Sequence, residues 1–443
     1  MAKTFREWPV DQAWLLPPSV RELLPASDPA HFVRDVVREQ LDLSAILSTY
    51  TEERGYPPYH PAMLTALILF GYTQGVYSSR KIARGCHARV DFMAVTAMQK
   101  PDFRTISDFR LRHLEALSDL FQQVLLLCCE AGLVKLGHVA LDGTKVKANA
   151  SKHKAMSYAR MKKTEQELQA EIASWFEKAK QADEEEDREF GDRQGDELPE
   201  WVTNKQQRLE KIQAAKARLE AQAKAQLAAG VKPELPKPDD DGPDKPPRGR
   251  SKKRPKPNGE PHDKAQLNFT DPDSKILKTK NGFEQGYNCQ AAVDAHAQVV
   301  VAHAVEAAQN DVQHLVPMVK QIRENLGRNP EELSADNGYL SEANLAALEK
   351  RRIEGYVAAG REKKHQNGRP KLLGTRTRRM KRKLKQGGYR SRYRLRKQTV
   401  EPVFGQIKAA RGFRSMSMRG ITKAQREWAL VCTAHNLLKL AKL

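Results

Sequence analysis

The chain runs to 443 residues, 40% of them hydrophobic, with 76 Lys and Arg against 55 Asp and Glu and a formal net charge of +21. That length gives room for two or three domains, the apolar share excludes a wholly disordered chain, and the basic excess favours a polyanionic partner, nucleic acid first. No run approaches the roughly 18 apolar residues of a membrane helix, the N-terminus lacks a signal peptide's basic-then-apolar order, and Cys86, Cys128, Cys129, Cys289 and Cys432 form no C-x-x-C pair. The expectation is therefore a cytoplasmic protein without disulfides, thiolate zinc or a membrane partner.

Residues 1–135 read as helical. Met63, Leu64, Leu67 and Ile68 make a stripe at helical spacing that starts after Pro57-Pro58 and ends near Gly71. Ser78 to Arg84 is a short basic helix. A further helix opens at Thr105-Ile106-Ser107-Asp108 and runs through Phe109, Leu114, Leu117, Phe121, Val124 and Leu125. Arg80, Lys81, Arg84, Arg104 and Arg110 give these helices basic faces. That suits a helix-turn-helix DNA-binding domain, and equally a plain helical bundle with solvated charges.

At Gly137 the pattern changes. His138-Val139-Ala140-Leu141-Asp142 reads as a buried strand ending in a carboxylate, within a segment 136–150. Residues 151–264 interrupt it: weak apolar stripes predict a helical pair over 160–228, and nine prolines among many charges predict a disordered linker over 230–262. Residues 265–443 resume the pattern. Asn288 to Val293 and Gln298 to Val305 form a hairpin turning at Asp294. Val312, Leu315, Val316, Val319, Ile322 and Leu326 share one helix face. A strand over Glu332 to Ala335, a helix opening near Ser341 and a strand over Gly355 to Ala359 follow. Strand, hairpin, helix, strand, helix, strand is the order of a ribonuclease-H-like mixed α/β domain, here with an insertion after its first strand and an all-α domain before it. Residues 361–398 hold 17 Lys or Arg against one acid, Glu362, a basic arm suited to phosphates.

In-line cleavage of a phosphodiester needs positive charge at the attacking and leaving oxygens, which carboxylate-held divalent ions supply. Acids at strand ends are the signal. Asp142 ends one strand before the small residues Gly143-Thr144, and Asp336 ends another in Ala335-Asp336-Asn337-Gly338. Asp294 lies at a hairpin turn and reads as structural. Glu401 lies in Thr399-Val400-Glu401-Pro402-Val403-Phe404, where Thr399 reads as the helix cap and Pro402 as first-turn proline. Lys408, two turns on, shares its face.

The phrases LDGTKVKANAS, GYNCQAAVDAHAQVV, SADNGYLSEANL and VEPVFGQIKAARGFRSMSMRG resemble the DDE transposases of bacterial insertion sequences, in the IS-four/IS-five superfamily. YHPAMLTALILFGYTQGVYSSRKIA and PDFRTISDFR resemble the InsH-like N-terminal domain of one of its branches. The resemblance implies a metal-binding catalytic triad of Asp142, Asp336 and Glu401, with two Mg²⁺ or Mn²⁺ ions. It also implies double-stranded DNA as partner, terminal inverted repeats and target DNA alike, cut and rejoined by a homodimer in the cytoplasm at the nucleoid. The family's Tyr-x₂-Arg-x₃-Glu-x₆-Lys signature is met in part. Glu401 and Lys408 keep its spacing, Lys397 stands at the Arg position, and Arg394 stands at the Tyr position beside Tyr393. These basic residues would contact DNA phosphates. A ribonuclease-H-like nuclease that only hydrolyses, or an inactive DNA-binding descendant, are the alternatives at this point.

Overall fold

The computed structural model describes residues 19, 22–51, 58–190, 200–230, 255–279, 282–307, 311–360 and 374–442. Seven helices come first: α1 Pro29–Glu39, α2 Ser44–Leu47, α3 Pro61–Thr73, α4 Ser79–Ala88, α5 Val90–Thr96, α6 Phe103–Arg112 and α7 Leu114–Glu130. α3 differs from the one-faced helix its stripe predicts. Leu64 to Thr73 are buried without a break, because α1, α5 and the C-terminal helix enclose it. The helix expected from Thr105 starts earlier, where the Asp102 carboxylate accepts from the Arg104 amide at 2.8 Å. It also breaks at His113, so that α6 and α7 are separate.

Strand β1, His138–Lys147, leads into the insertion. This comprises β2 Ala155–Ser157, α8 Tyr158–Phe190, α9 Glu200–Ala228 and β3 Gln266–Asn268. β2 and β3 pair antiparallel, and Tyr158, Met161, Leu168, Ile212, Ala215, Leu219 and Leu267 make a small core of their own. Ion pairs Lys216–Glu165 and Lys205–Glu171, both 2.7 Å, tie α9 to α8. Of the expected linker, 231–254 lie outside the described residues, and 255–262 correct the expectation. Pro255, Gly259 and Pro261 are buried, and Glu260 meets Lys162 of α8 at 3.2 Å. Its charges pair as well, Lys256 meeting Asp263 at 2.9 Å.

The remaining strands are β4 Lys275–Thr279, β5 Gly282–Asp294, β6 Val300–Glu306, β7 Glu332–Ala335 and β8 Glu354–Val357, with helices α10 Leu315–Leu326 and α11 Glu342–Lys350. β1 lies at the centre of the sheet, antiparallel to β5 with Asp142 opposite Ala291 and parallel to β7 with Leu141 opposite Ala335. β8 extends the sheet parallel to β7, while β6 and β4 pair with β5. Gly286 of β5 is required by close approach, since a Cβ there would stand 2.4 Å from the Val146 carbonyl oxygen.

The basic stretch is helical where described: α12, Thr375–Gly387, buries Thr377 and Met380 against α11 and β8. Residues 361–373 lie outside the described residues. α13, Leu395–Gly405, begins four residues before Thr399, which is buried within it rather than capping it. Pro402 is therefore interior. A π-helical turn over Gln406–Ala410 follows, the kind of single turn that helices often carry near functional sites.

The last helix, α14 Ile421–Leu440, is buried without a break from Glu427 to Leu437 and shows no one-faced pattern there. It packs on α7, β6 and α3. Its Trp428 indole donates to the Gln290 carbonyl at 3.0 Å, and its Asn436 exchanges two 2.9 Å hydrogen bonds with Val300. Through α14, the N-terminal helices and the sheet share one apolar core.

Candidate active site

Parallel pairing of β1 with β7 puts Asp142, midway along β1, beside Asp336, which follows the last residue of β7. α13 packs across β1 and adds Glu401. Arg396, one turn before Glu401, binds both acids: Nη1 is 2.5 Å from Asp142 Oδ2 and Nη2 is 2.9 Å from Glu401 Oε1. Burial pushes the Asp142 carboxyl up to about 6; Arg396 pulls it back, and Asp336 and Glu401 add to the rise. The Asp336 carboxyl is also raised, by burial first, with Gly338 opposing through its amide and Asp311 reinforcing. Carboxylates crowded in a half-buried cleft call for positive charge. Among the described residues, no three Asp, Glu, His or Cys side chains already form a cage for an ion, and Arg396 occupies the gap between Asp142 and Glu401.

Arg396 is the residue that sequence reasoning missed. Tyr393 and Arg396 keep the Tyr-x₂-Arg spacing one residue farther from Glu401 than the signature has it, and the guanidinium lies 6.0 Å from the Tyr393 ring centroid. Lys397 and Arg394, aligned by strict counting, are exposed. Lys408 also differs from expectation. Its half-buried ammonium donates to Thr144 Oγ1 at 3.1 Å and the Lys145 carbonyl at 2.7 Å, bracing β1 beside Asp142. Burial lowers its pKa.

Asp294 is 1% exposed and accepts from the Leu136 amide at 2.7 Å and the His296 amide at 2.8 Å, a turn residue by its bonds. In the N-terminal helices Arg80, Lys81, Arg84 and Arg104 are exposed. Arg110 is not: it is 7% exposed and donates to the Tyr77 carbonyl at 2.8 Å. Its place on the inner side of α6 makes it a structural cation, correcting its assignment to DNA.

Among the described residues, no helix is long and apolar enough to cross a membrane. A family model described as Transposase DDE domain matches residues 262–437, and one described as Transposase domain (DUF772) matches residues 18–112. The first begins after Asp142, but β1 pairs along most of its length with β5 inside the matched stretch. No curated protein and no solved structure matches the chain. The helical region and the greater part of the sheet each match a transposase domain, and the chain belongs to the DDE transposases of insertion sequences, enzymes that act on DNA and use divalent metal.

Proposed function

We propose that this transposase cuts DNA at the terminal inverted repeats of its element and joins the freed ends to target DNA, using Asp142, Asp336 and Glu401 to hold Mg²⁺ or Mn²⁺. The observation that carries the reading is that one guanidinium bridges Asp142 of β1 and Glu401 of α13, while the parallel pairing of β1 and β7 brings Asp336 beside Asp142. The strand order β6-β5-β1-β7-β8, with β5 antiparallel and β7 and β8 parallel to β1, supports a ribonuclease-H-like domain.

The donor set fits the metal. Hard carboxylate oxygens are what Mg²⁺ takes, and the site already needs a cation between Asp142 and Glu401. When bound, two such ions would polarise the scissile phosphate and neutralise the attacking and leaving oxygens. The chain's own part is positional. Gly143 and Gly338 keep the cleft open beside the acids. Lys408 fixes β1. Arg396, which pairs with Asp142 and Glu401, would offer its planar fork to a phosphate. Water attack at phosphorus breaks the bond to the 3′ oxygen, which leaves as a hydroxyl; in the second step that hydroxyl loses its proton, attacks a target phosphodiester and forms the new linkage as the target's own 3′ oxygen leaves and takes up a proton. α4 and α6 would read the inverted repeats, and two copies of the chain would pair the two ends at the nucleoid.

The experiment is product analysis on a labelled duplex carrying the element's end and an unlabelled target plasmid, in Mg²⁺ or Mn²⁺. Both a nicked strand ending in a 3′ hydroxyl and a joined plasmid product are expected. Nicking without joining would reduce the proposal to a nuclease.

A further inference from the structure

A fourth carboxylate reaches the place where β7 ends beside β1. Asp311 opens a 3₁₀ turn over Asp311–Gln313 that leads into α10. Its Oδ1 accepts from Asn288 Nδ2 at 2.7 Å and from Gln290 Nε2 at 2.9 Å. Both donors stand on β5, opposite Lys145 and Gly143 of β1. Tyr339 donates its hydroxyl to Gln290 Oε1, which fixes the amide with its nitrogen toward Asp311. Among the described residues, Asp311 Oδ2 accepts no hydrogen bond from the protein.

Two glycines keep the space around Asp311 clear. A Cβ on Gly338 would sit 2.8 Å from Asp311 Oδ2 and 2.9 Å from Asp336 Oδ1, so both oxygens face one small gap. A Cβ on Gly143 would sit 3.2 Å from Asp311 Oδ1 and 2.5 Å from Gln290 Nε2. The residue after Asp142 and the residue two after Asp336 thus lack side chains where Asp311 comes in. Two carboxylates across a gap this small repel each other, and partial burial strengthens the repulsion. A positioned pair of this kind is held ready for a cation.

We propose that Asp311 is a further ligand carboxylate of the transposase site, giving Oδ2 to a divalent ion beside Asp336. The proposal rests on the reading of Asp142, Asp336 and Glu401 as the metal-holding acids. Asn288, Gln290 and Tyr339 are then positioning residues that aim Asp311.

The test is titration of Mn²⁺ into the full-length protein, followed by the paramagnetic resonance signal of free Mn²⁺, for wild type, Asp311→Asn and Asp142→Asn. Asn keeps the size of Asp and an Oδ1 to accept from Asn288 and Gln290, and thermal melting checks the fold. Asp311→Asn is expected to bind Mn²⁺ about tenfold more weakly or worse, with Asp142→Asn also impaired. Wild-type binding by Asp311→Asn beside a loss in Asp142→Asn overturns the role of Asp311 and leaves the triad standing. Wild-type binding by both overturns the triad reading as well. A loss in Asp311→Asn alone contradicts the shared site. If Asp311→Asn fails to fold, Gly338→Ala, which puts a methyl group between the two oxygens, takes its place, and unchanged Mn²⁺ binding there overturns the proposal.

Discussion

Arg396 touches two carboxylates at once, and it is 14% exposed while Glu401 is 43% exposed. A guanidinium so placed bridges the two acids, and under the proposed mechanism its planar fork would be offered to a phosphate. Arg396→Ala is expected to slow end cleavage about a hundredfold or more, the usual cost of removing one donor aimed at developing charge. Lys397→Ala, one residue on and exposed, should cut at close to the wild-type rate. Single-turnover cleavage of a labelled end measures both. A large loss in Lys397→Ala with little in Arg396→Ala would restore the strict signature spacing and remove Arg396 from the site. Asp142 and Asp336 were legible before the fold because each closes a short apolar run. Arg396 was not, because a signature counted along the chain cannot register a one-residue offset, and only the packing of α13 on β1 shows which cation enters the cleft.

At the scale of elements, the site depends on the register of β1 against its neighbours. A slip of one residue turns every side chain to the other face and would carry Asp142 away from Asp336. Gly286 pins that register, since its missing side chain lets the Val146 carbonyl come to 2.4 Å from where a Cβ would be. The next residues are clamped as well, with the Ala148 amide donating to the Gln285 carbonyl at 3.0 Å. Gly286→Ala should therefore destabilise the protein by about 3 kcal/mol, at the upper end of overpacking costs. Urea unfolding measures it, and an unchanged midpoint would mean that β1 and β5 do not meet as described. Strands β1, β5, β6, β7 and β8 announced themselves as short apolar runs and α10 by a clean apolar face, whereas the edge strand β4, Lys275–Thr279, carries three polar residues in five and was not read. α14 did not, because the run Trp428 to Leu437 is buried on all sides and carries no amphipathic period. The break at His113 was hidden because the apolar spacing continues across it from α6 into α7.

At the scale of the whole molecule, one apolar core joins the N-terminal helices to the sheet, so DNA held by one is fixed relative to the other. Arg80, Lys81, Arg84 and Arg104 stay exposed on the helical side. Replacing Arg80, Lys81 and Arg84 together by Ala should flatten the plot of log affinity for the element's end against log salt. The slope should fall by about 0.9 for each phosphate that is no longer neutralised. An unchanged slope in a gel-shift series would move recognition elsewhere on the surface. The central claim is that three acids from separate elements act as one metal-holding unit. Its most direct test is cleavage of a labelled element end in Mg²⁺ by Asp142→Ala, Asp336→Ala and Glu401→Ala, each beside Asp294→Ala. Asp294 is a buried carboxylate of the same sheet whose oxygens are taken by the Leu136 and His296 amides. All three triad variants should lose cleavage while still binding the end, since removing one ligand disables the whole site. Asp294→Ala should keep its chemistry and lose only stability, about 1–3 kcal/mol for an amide left unpaired. Normal cutting by Asp336→Ala with a dead Asp294→Ala would contradict the account.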